Sequence, residues 1–153
     1  MSELTASAPL TPRQLVEMVT SRPGYTRAAG TEVLHAEVGI VHLRLRKRPD
    51  LLQFNGYFHG GVIAGLADHA AGGAVSTALP PGRIAVTIDL HVNYLAPARA
   101  DTIVAKASTV QVGGSVGVAR VEVFEVDAGG AERLCSIATA TMRIVELAAA
   151  GRG

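Results

Sequence analysis

A chain of 153 residues, 48% of them apolar, is sized for one domain with a real hydrophobic core. It has no run of about 18 apolar residues, which excludes a membrane-spanning helix, and a net charge of +1 gives no basic face for nucleic acid. The single cysteine, Cys135, excludes an intrachain disulfide and fits a reducing, cytoplasmic compartment.

The opening MSELTASAPLTP lacks the basic start and apolar block of a secretory signal. Residues 1–9 and 148–153 read as disordered tails flanking a single domain over 10–147. Thr11-Pro12-Arg13-Gln14 predicts a helix start, with Thr11 as cap, Pro12 at the first helical position and Gln14 completing a capping box. Leu15, Val16 and Val19 give this helix an apolar stripe, and it ends near Pro23-Gly24. From Thr31 the period changes to two. Glu32–Glu37 reads as a strand, Gly39 as a turn or bulge, and Val41, Leu43 and Leu45 alternate with His42, Arg44 and Arg46 in the next strand. The cationic cluster RLRKR (44–48) is then a solvated strand face rather than a nucleic-acid footprint.

The stretch QFNGYFHGGVIAGLADHAAGGA (53–74) has helical apolar spacing but many glycines, each costing about 1 kcal/mol relative to Ala in a helix interior. Only burial offsets that, and Val62, Ile63, Leu66, Ala70 and Ala74 supply one continuous face. Pro80-Pro81-Gly82 makes a hard break, after which four strands are predicted: Ile84–Leu95, Thr102–Val112, Ser115–Val126 and Glu132–Val145. Short turns, one of them at Gly113-Gly114, join the last three in an antiparallel meander. The fold class expected is α+β: an antiparallel sheet of five to six strands wrapped around one long central helix.

The chemistry concentrates in the central segment. On a helical wheel Asp68 falls among Gly61, Gly65 and Gly72, so its carboxylate stands on a strip without side chains that another surface can approach. Gly60 and Gly61 open the helix, where backbone N–H groups lack intrahelical partners and the dipole favours developing negative charge. That is the physics of an oxyanion hole. Gly60 and Asp68 are eight residues apart, about 12 Å along a helix axis. A carbonyl within hydrogen-bond reach of the amide cannot also meet that carboxylate. If both serve one reaction they come from two copies of the chain, most simply a two-fold dimer with two equivalent sites.

The segments NGYFHGGVIAGLADHAAGGA, VTIDLHVNYLAPAR and VQVGGSVGVARVEVFE together resemble the hotdog-fold acyl-CoA thioesterases, specifically the phenylacetate-pathway (PaaI-type) group of the 4-hydroxybenzoyl-CoA thioesterase family. The resemblance runs from about Gly30 to Val145. It rests on His-Gly-Gly with an acid nine residues after the His, followed by Asp89, Tyr94, Pro97 and Ala98. It implies that the Gly60 amide polarises the thioester carbonyl and that Asp68 of the partner subunit acts as nucleophile or general base. It also implies that His59 shapes the site and that Thr87 helps place the attacking water. Gly61, the Tyr94–Arg99 loop with Pro97, and the Gly113-Gly114-Ser115 turn match substrate- and coenzyme-A-binding positions. Many members have Asn six residues before the His. This chain has Gln53 there, with Asn55 as the rival for the amide role.

The reading is a homodimeric or, as a dimer of dimers, homotetrameric acyl-CoA thioesterase with no metal or redox cofactor. Phe54, Tyr57 and Phe58 suggest an aryl, phenylacetyl or medium-chain acyl group, and Arg83, Arg99 and Arg120 are candidates for the coenzyme phosphates. His69 and His91 read as structural or surface histidines. Ser76 and Ser115 lack a nucleophile elbow, and no metal-ligand spacing appears. A hotdog hydratase or dehydratase, or a non-catalytic acyl-CoA-binding protein, are the alternatives.

Overall fold

The computed structural model describes residues 8–147, so the expected terminal tails lie, apart from residues 8 and 9, outside the described residues. The elements run α1 (Pro12–Ser21), α2 (Tyr25–Ala28), β1 (Glu32–Glu37), β2 (Ile40–Arg46), a 3-10 turn (Pro49–Leu51), α3 (Gly60–Thr77), β3 (Arg83–Tyr94), β4 (Thr102–Val112), β5 (Val116–Val126) and β6 (Glu132–Glu146). The six strands form one antiparallel sheet in the order β1-β2-β4-β5-β6-β3, leaving β1 and β3 as edges. α3 packs against β2 through β6. Among the described residues, no helix is long and apolar enough to cross a membrane.

α1 starts as its capping box dictates: Gln14 N donates to Thr11 Oγ1 (3.2 Å) and Thr11 N donates to Gln14 Oε1 (3.0 Å). Arg13 then donates to the carbonyls of Val33 and Leu34, tying α1 to β1. α2 and the 3-10 turn were not anticipated, because four and three residues are too short to display a hydrophobic period.

α3 buries Ile63, Leu66, Ala67, Ala70, Ala71, Ala74 and Val75, while Val62, expected on that face, is only partly buried. Gly65, Gly72 and Gly73 cost the helix about 1 kcal/mol each. Burying Ile63, Leu66 and Val75 returns about 1.5–3 kcal/mol each and outweighs them. Small residues also set the helix-to-sheet distance. A Cβ on Gly117 of β5 would lie 2.5 Å from Val75 Cγ1, so only glycine allows this approach. The cationic cluster is a solvated strand face, as expected. Arg44 and Arg46 pair with Glu32, and Arg48 pairs with Asp50. Cys135 is fully buried, its thiol donates to Val123 O, and burial pushes that thiol up.

β3 departs from simple alternation. Its pairing with β6 slips between Thr87 and Asp89, which makes Ile88 a bulged residue. Before the bulge Ala85 and Thr87 turn toward α3, while Val86 and Ile88 are 51% and 60% exposed. After it, Leu90 and Val92 pack on the core.

Candidate active site

Most of the predicted residues gather at two places along α3. At its N-terminus, the loop entering the helix is folded back on itself. Gln53 N donates to Tyr57 O (2.8 Å), Gly56 N to Gln53 O (3.0 Å) and His59 N to Leu51 O (2.9 Å). Gly56 sits at φ +82°, a left-handed conformation that glycine adopts without steric cost. Phe58 N donates to Ala98 O (3.0 Å), joining this loop to the chain leaving β3. Between the two runs a cavity of about 460 Å³ lined by Gln53, Asn55, Tyr57, Gly60, Tyr94 and Pro97 among others.

His59 caps α3 by accepting a hydrogen bond from Gly61 N at Nδ1 (2.9 Å). The neutral ring therefore carries its proton on Nε2. The Gly61 amide is consumed by this cap, whereas Gly60 N makes no hydrogen bond among the described residues. Tyr94 closes over that glycine. Its hydroxyl donates to Gly60 O (2.6 Å), and a Cβ on residue 60 would lie 3.3 Å from Tyr94 Cζ and Oη. Asn55 Oδ1 is a long acceptor for Tyr57 N (3.4 Å), while the Gln53 carboxamide makes no hydrogen bond among the described residues.

The outer wall of the cavity is fixed by a buried acid that sequence reasoning missed. Glu125 on β5 accepts from Arg99 N (2.6 Å), Ala100 N (3.0 Å) and Arg133 Nε, and Arg133 also donates to Pro97 O. Burial would raise the Glu125 carboxyl, but the two amides and the guanidinium outweigh it and hold it below the usual carboxylate range. The Arg99 guanidinium lies over the Tyr57 ring, 4.9 Å from its centroid. The signal that could have found Glu125 is its phase: it continues the run Ala119, Val121, Val123 that faces the core, whereas Glu122 falls on the opposite face.

The second place is Asp68, two turns further along α3. Thr87 Oγ1 donates to Asp68 Oδ1 (2.6 Å). The strip around Asp68 is less open than the helical wheel implied. The His59 ring sits where a Gly61 side chain would be, and the Tyr25 ring fills the place of a Gly65 side chain. His69 is tied to Thr20 of α1 through Nε2 (2.8 Å), and burial lowers its pKa despite the opposing pull of Asp68. His91 is exposed on the sheet's outer face, in a cleft with Asn93, Arg120 and Glu122. Ser76 is buried and accepts from Ala85 N (3.0 Å).

Within one chain the structure does not unite these places, since α3 is unbroken between Gly60 and Asp68. Nor does it bring Gly113, Gly114 and Ser115 to the Gly60 cavity. They lie at the far end of β4, beside Arg83, which bonds Gly114 O and Glu146. The tight turn falls on Gly114-Ser115, one residue later than read, with Gly113 N donating to Val116 O (2.8 Å).

Residues 55–131 match the family model described as the thioesterase superfamily. The chain is 33% identical over 135 residues to the medium/long-chain acyl-CoA thioesterase YigI of Escherichia coli, covering 76% of this chain and 87% of that protein. It is 27% identical over 121 residues to a 1,4-dihydroxy-2-naphthoyl-CoA hydrolase of Listeria monocytogenes, covering 79% and 95%. In fold it is similar to a thioesterase family protein of Silicibacter pomeroyi (TM-score 0.83, 24% identity, 88% of this chain and 98% of that one). It is also similar to the E. coli PaaI protein of the phenylacetic acid degradation operon (TM-score 0.76, 20% identity, 88% and 93%). With a sheet wrapped on a glycine-started helix, and a match across half the chain that includes both Gly60 and Asp68, this chain belongs to the hotdog-fold thioesterase superfamily.

Proposed function

We propose that this acyl-CoA thioesterase hydrolyses its substrate in a site made by two subunits, the Gly60 amide of one and Asp68 of the other. The observation that supports this most is the free Gly60 N–H at the mouth of a cavity, about 12 Å along the helix from the Thr87-bound carboxylate. The thioester carbonyl oxygen accepts from Gly60 N, which stabilises the charge that develops when the carbon is attacked. Asp68 acts either as general base, taking a proton from the attacking water, or as nucleophile, giving an anhydride that water then opens. In both cases the C–S bond breaks, the thiolate leaves and is protonated, and the products are free acid and coenzyme A. Thr87 fixes one carboxylate oxygen and leaves the other for the reaction.

Gln53 is the better candidate for the amide role, because both it and Asn55 line the cavity but only Gln53 has no competing partner among the described residues. The Tyr57–Arg99 stack and Tyr94 at the cavity mouth support contact with the coenzyme portion. The unpaired side of β3, with Val86 and Ile88 exposed, is the edge that fits a two-fold dimer. A dimer of dimers is the final assembly proposed. The buried thiol Cys135, which needs no oxidising compartment, agrees with a cytoplasmic site of action.

The experiment is subunit complementation. Asp68→Asn and Gly60→Pro chains, the latter lacking the amide N–H at a helix position that accepts proline, are each nearly inactive as homodimers, and a random mixture regains about a quarter of wild-type thiol release, because half its dimers carry one complete site. No recovery on mixing refutes the shared site. Water addition to an enoyl-CoA without thiol release would favour a hydratase instead.

A further inference from the structure

One strand touches both ends of the proposed site. From β3, Tyr94 donates its hydroxyl to Gly60 O and Thr87 donates to Asp68 Oδ1, each at 2.6 Å. β3 pairs with β6 on one side and is a sheet edge on the other. A two-fold axis that brings Gly60 of one chain to Asp68 of the other passes midway between them on α3, and midway between Tyr94 and Thr87 on β3. The β3–β6 ladder runs through positions 87, 89, 90, 91, 92, 93 and 94, with Ile88 bulged out, so the middle position is His91. Pairing β3 antiparallel with its own copy about that point sets His91 against itself, Val92 against Leu90, Asn93 against Asp89, Tyr94 against Thr87 and Leu95 against Val86. Residues directly opposite in such a pair share a face, and every couple meets that condition. Leu90 and Val92 pack on the core, and Asp89, His91 and Asn93 are exposed on the outer face. Val86 and Leu95, 51% and 54% exposed in the single chain, cover one another. A one-residue slip would instead set core-facing Leu90 against exposed His91.

We propose that Tyr94 is a positioning residue acting across the subunit boundary: its ring stands opposite Thr87 of the partner subunit and holds that subunit's Thr87–Asp68 pair against the Gly60 amide of its own chain. This rests on the shared-site reading above and supplies the residue that couples the two halves. Opposite Cβ atoms in an antiparallel pair lie about 4.5–5.5 Å apart, within contact of a ring. The ring itself is pinned, with its hydroxyl bonded to Gly60 O and its Cζ 3.3 Å from the place of a Gly60 Cβ. Movement of either half-site is thereby passed to the other through one side chain. Contact with the coenzyme is a separate role, which would act on KM.

The test has two arms in the full-length protein. The first reads the register through exposed positions that leave the core untouched. On mild oxidation His91→Cys closes a disulfide between subunits, because opposite Cα atoms about 4.5–5.5 Å apart lie within disulfide reach. Asp89→Cys and Asn93→Cys chains do not cross-link alone but do so when mixed. Wild type, whose only cysteine is the fully buried Cys135, stays free of cross-links. No cross-link from His91→Cys, or cross-linking of Asp89→Cys by itself, overturns the register. The second arm reads the role. Tyr94→Ala lowers kcat about 10²-fold with KM unchanged, the order that a small misplacement of reacting groups costs. Tyr94→Phe, which keeps the ring, restores most of that loss. Thr87→Val costs much less in the Tyr94→Ala background than in wild type, since both changes loosen one carboxylate. Losses that multiply, or a raised KM with kcat unchanged, overturn the coupling. Absence of thiol release from any acyl-CoA by wild type, with His91→Cys still cross-linking, would overturn the thioesterase reading and not the register.

Discussion

Thr87 Oγ1 donates a 2.6 Å hydrogen bond to Asp68 Oδ1, joining the edge strand to the central helix at the carboxylate proposed for catalysis. Removing the carboxylate removes the base or nucleophile but not the fold. Asp68→Asn is expected to lower kcat about 10²–10⁴-fold with a near-wild-type Tm, measured by thiol release and thermal unfolding. Thr87→Val, which removes the hydroxyl at nearly constant volume, lowers kcat by less and leaves KM unchanged.

Gly60→Ala separates stability from activity. Ala raises helix propensity, but its Cβ meets Tyr94 at 3.3 Å and pushes that ring from the cavity mouth. The variant keeps the N–H at residue 60, so the expected outcome is an unchanged or higher Tm and a modest fall in kcat/KM from crowding at the cavity mouth, smaller than the loss when an oxyanion donor is removed.

Glu125 holds Arg99, Ala100 and Arg133 together, so its loss loosens the cavity wall far from the reacting atoms. Glu125→Ala is expected to raise KM more than it lowers kcat. It should also destabilise the fold by about 1–3 kcal/mol, because two amides lose a buried acceptor. The Glu125 pKa is depressed in the folded state, so its contribution is present above the unfolded value near 4.5 and fades as pH falls through the lower folded value. Acid titration of stability shows this directly, with the low-pH loss shallower in Glu125→Ala.

His69 gives a second pH dependence, at a different place. Burial lowers its folded pKa below the ordinary 6.5, so folding favours the neutral ring. Its stabilising contribution is present above pH 6.5 and is lost as pH falls below that value, when the unfolded chain takes up the proton first. Tm is expected to drop between pH 7 and pH 5.5 in wild type, and to drop less in His69→Gln.

Exposed Val86 and Ile88 on the β3 edge predict the effect of charge at the proposed dimer seam. Ile88→Glu is expected to give a folded monomer by light scattering, with thiol release reduced to background.

Much of this was legible before any coordinates. Four residues, Thr11 to Gln14, specify the start of α1 because a capping box is a local device. The long strands show their period, and the glycine-started helix with Asp68 eight residues on marks the candidate site. Other features depend on tertiary contacts that no local pattern reports. Tyr25 and Gly65 are 40 residues apart in sequence, so the glycine read as clearance around Asp68 is a seat for a ring from the same chain. In β3 the sequence misleads, since Ile84, Val86, Ile88, Leu90 and Val92 alternate without interruption. Such a run predicts one continuous buried face, yet Val86 and Ile88 point outward and Ala85 and Thr87 point to the helix. Apolar side chains on both faces conceal the change.

The Ile88 bulge has a further effect on how one strand can serve two half-sites. Thr87 meets Asp68 and Tyr94 meets Gly60, both on α3, but seven positions separate them. In a regular strand an odd separation sends two side chains to opposite faces. The extra residue resets the parity between them, so a single strand can reach both the acid and the amide end of the same helix. Pairing β3 to β6 without the bulge, with Ile88 taken into the ladder, would keep every residue proposed for catalysis and put Thr87 and Tyr94 out of phase.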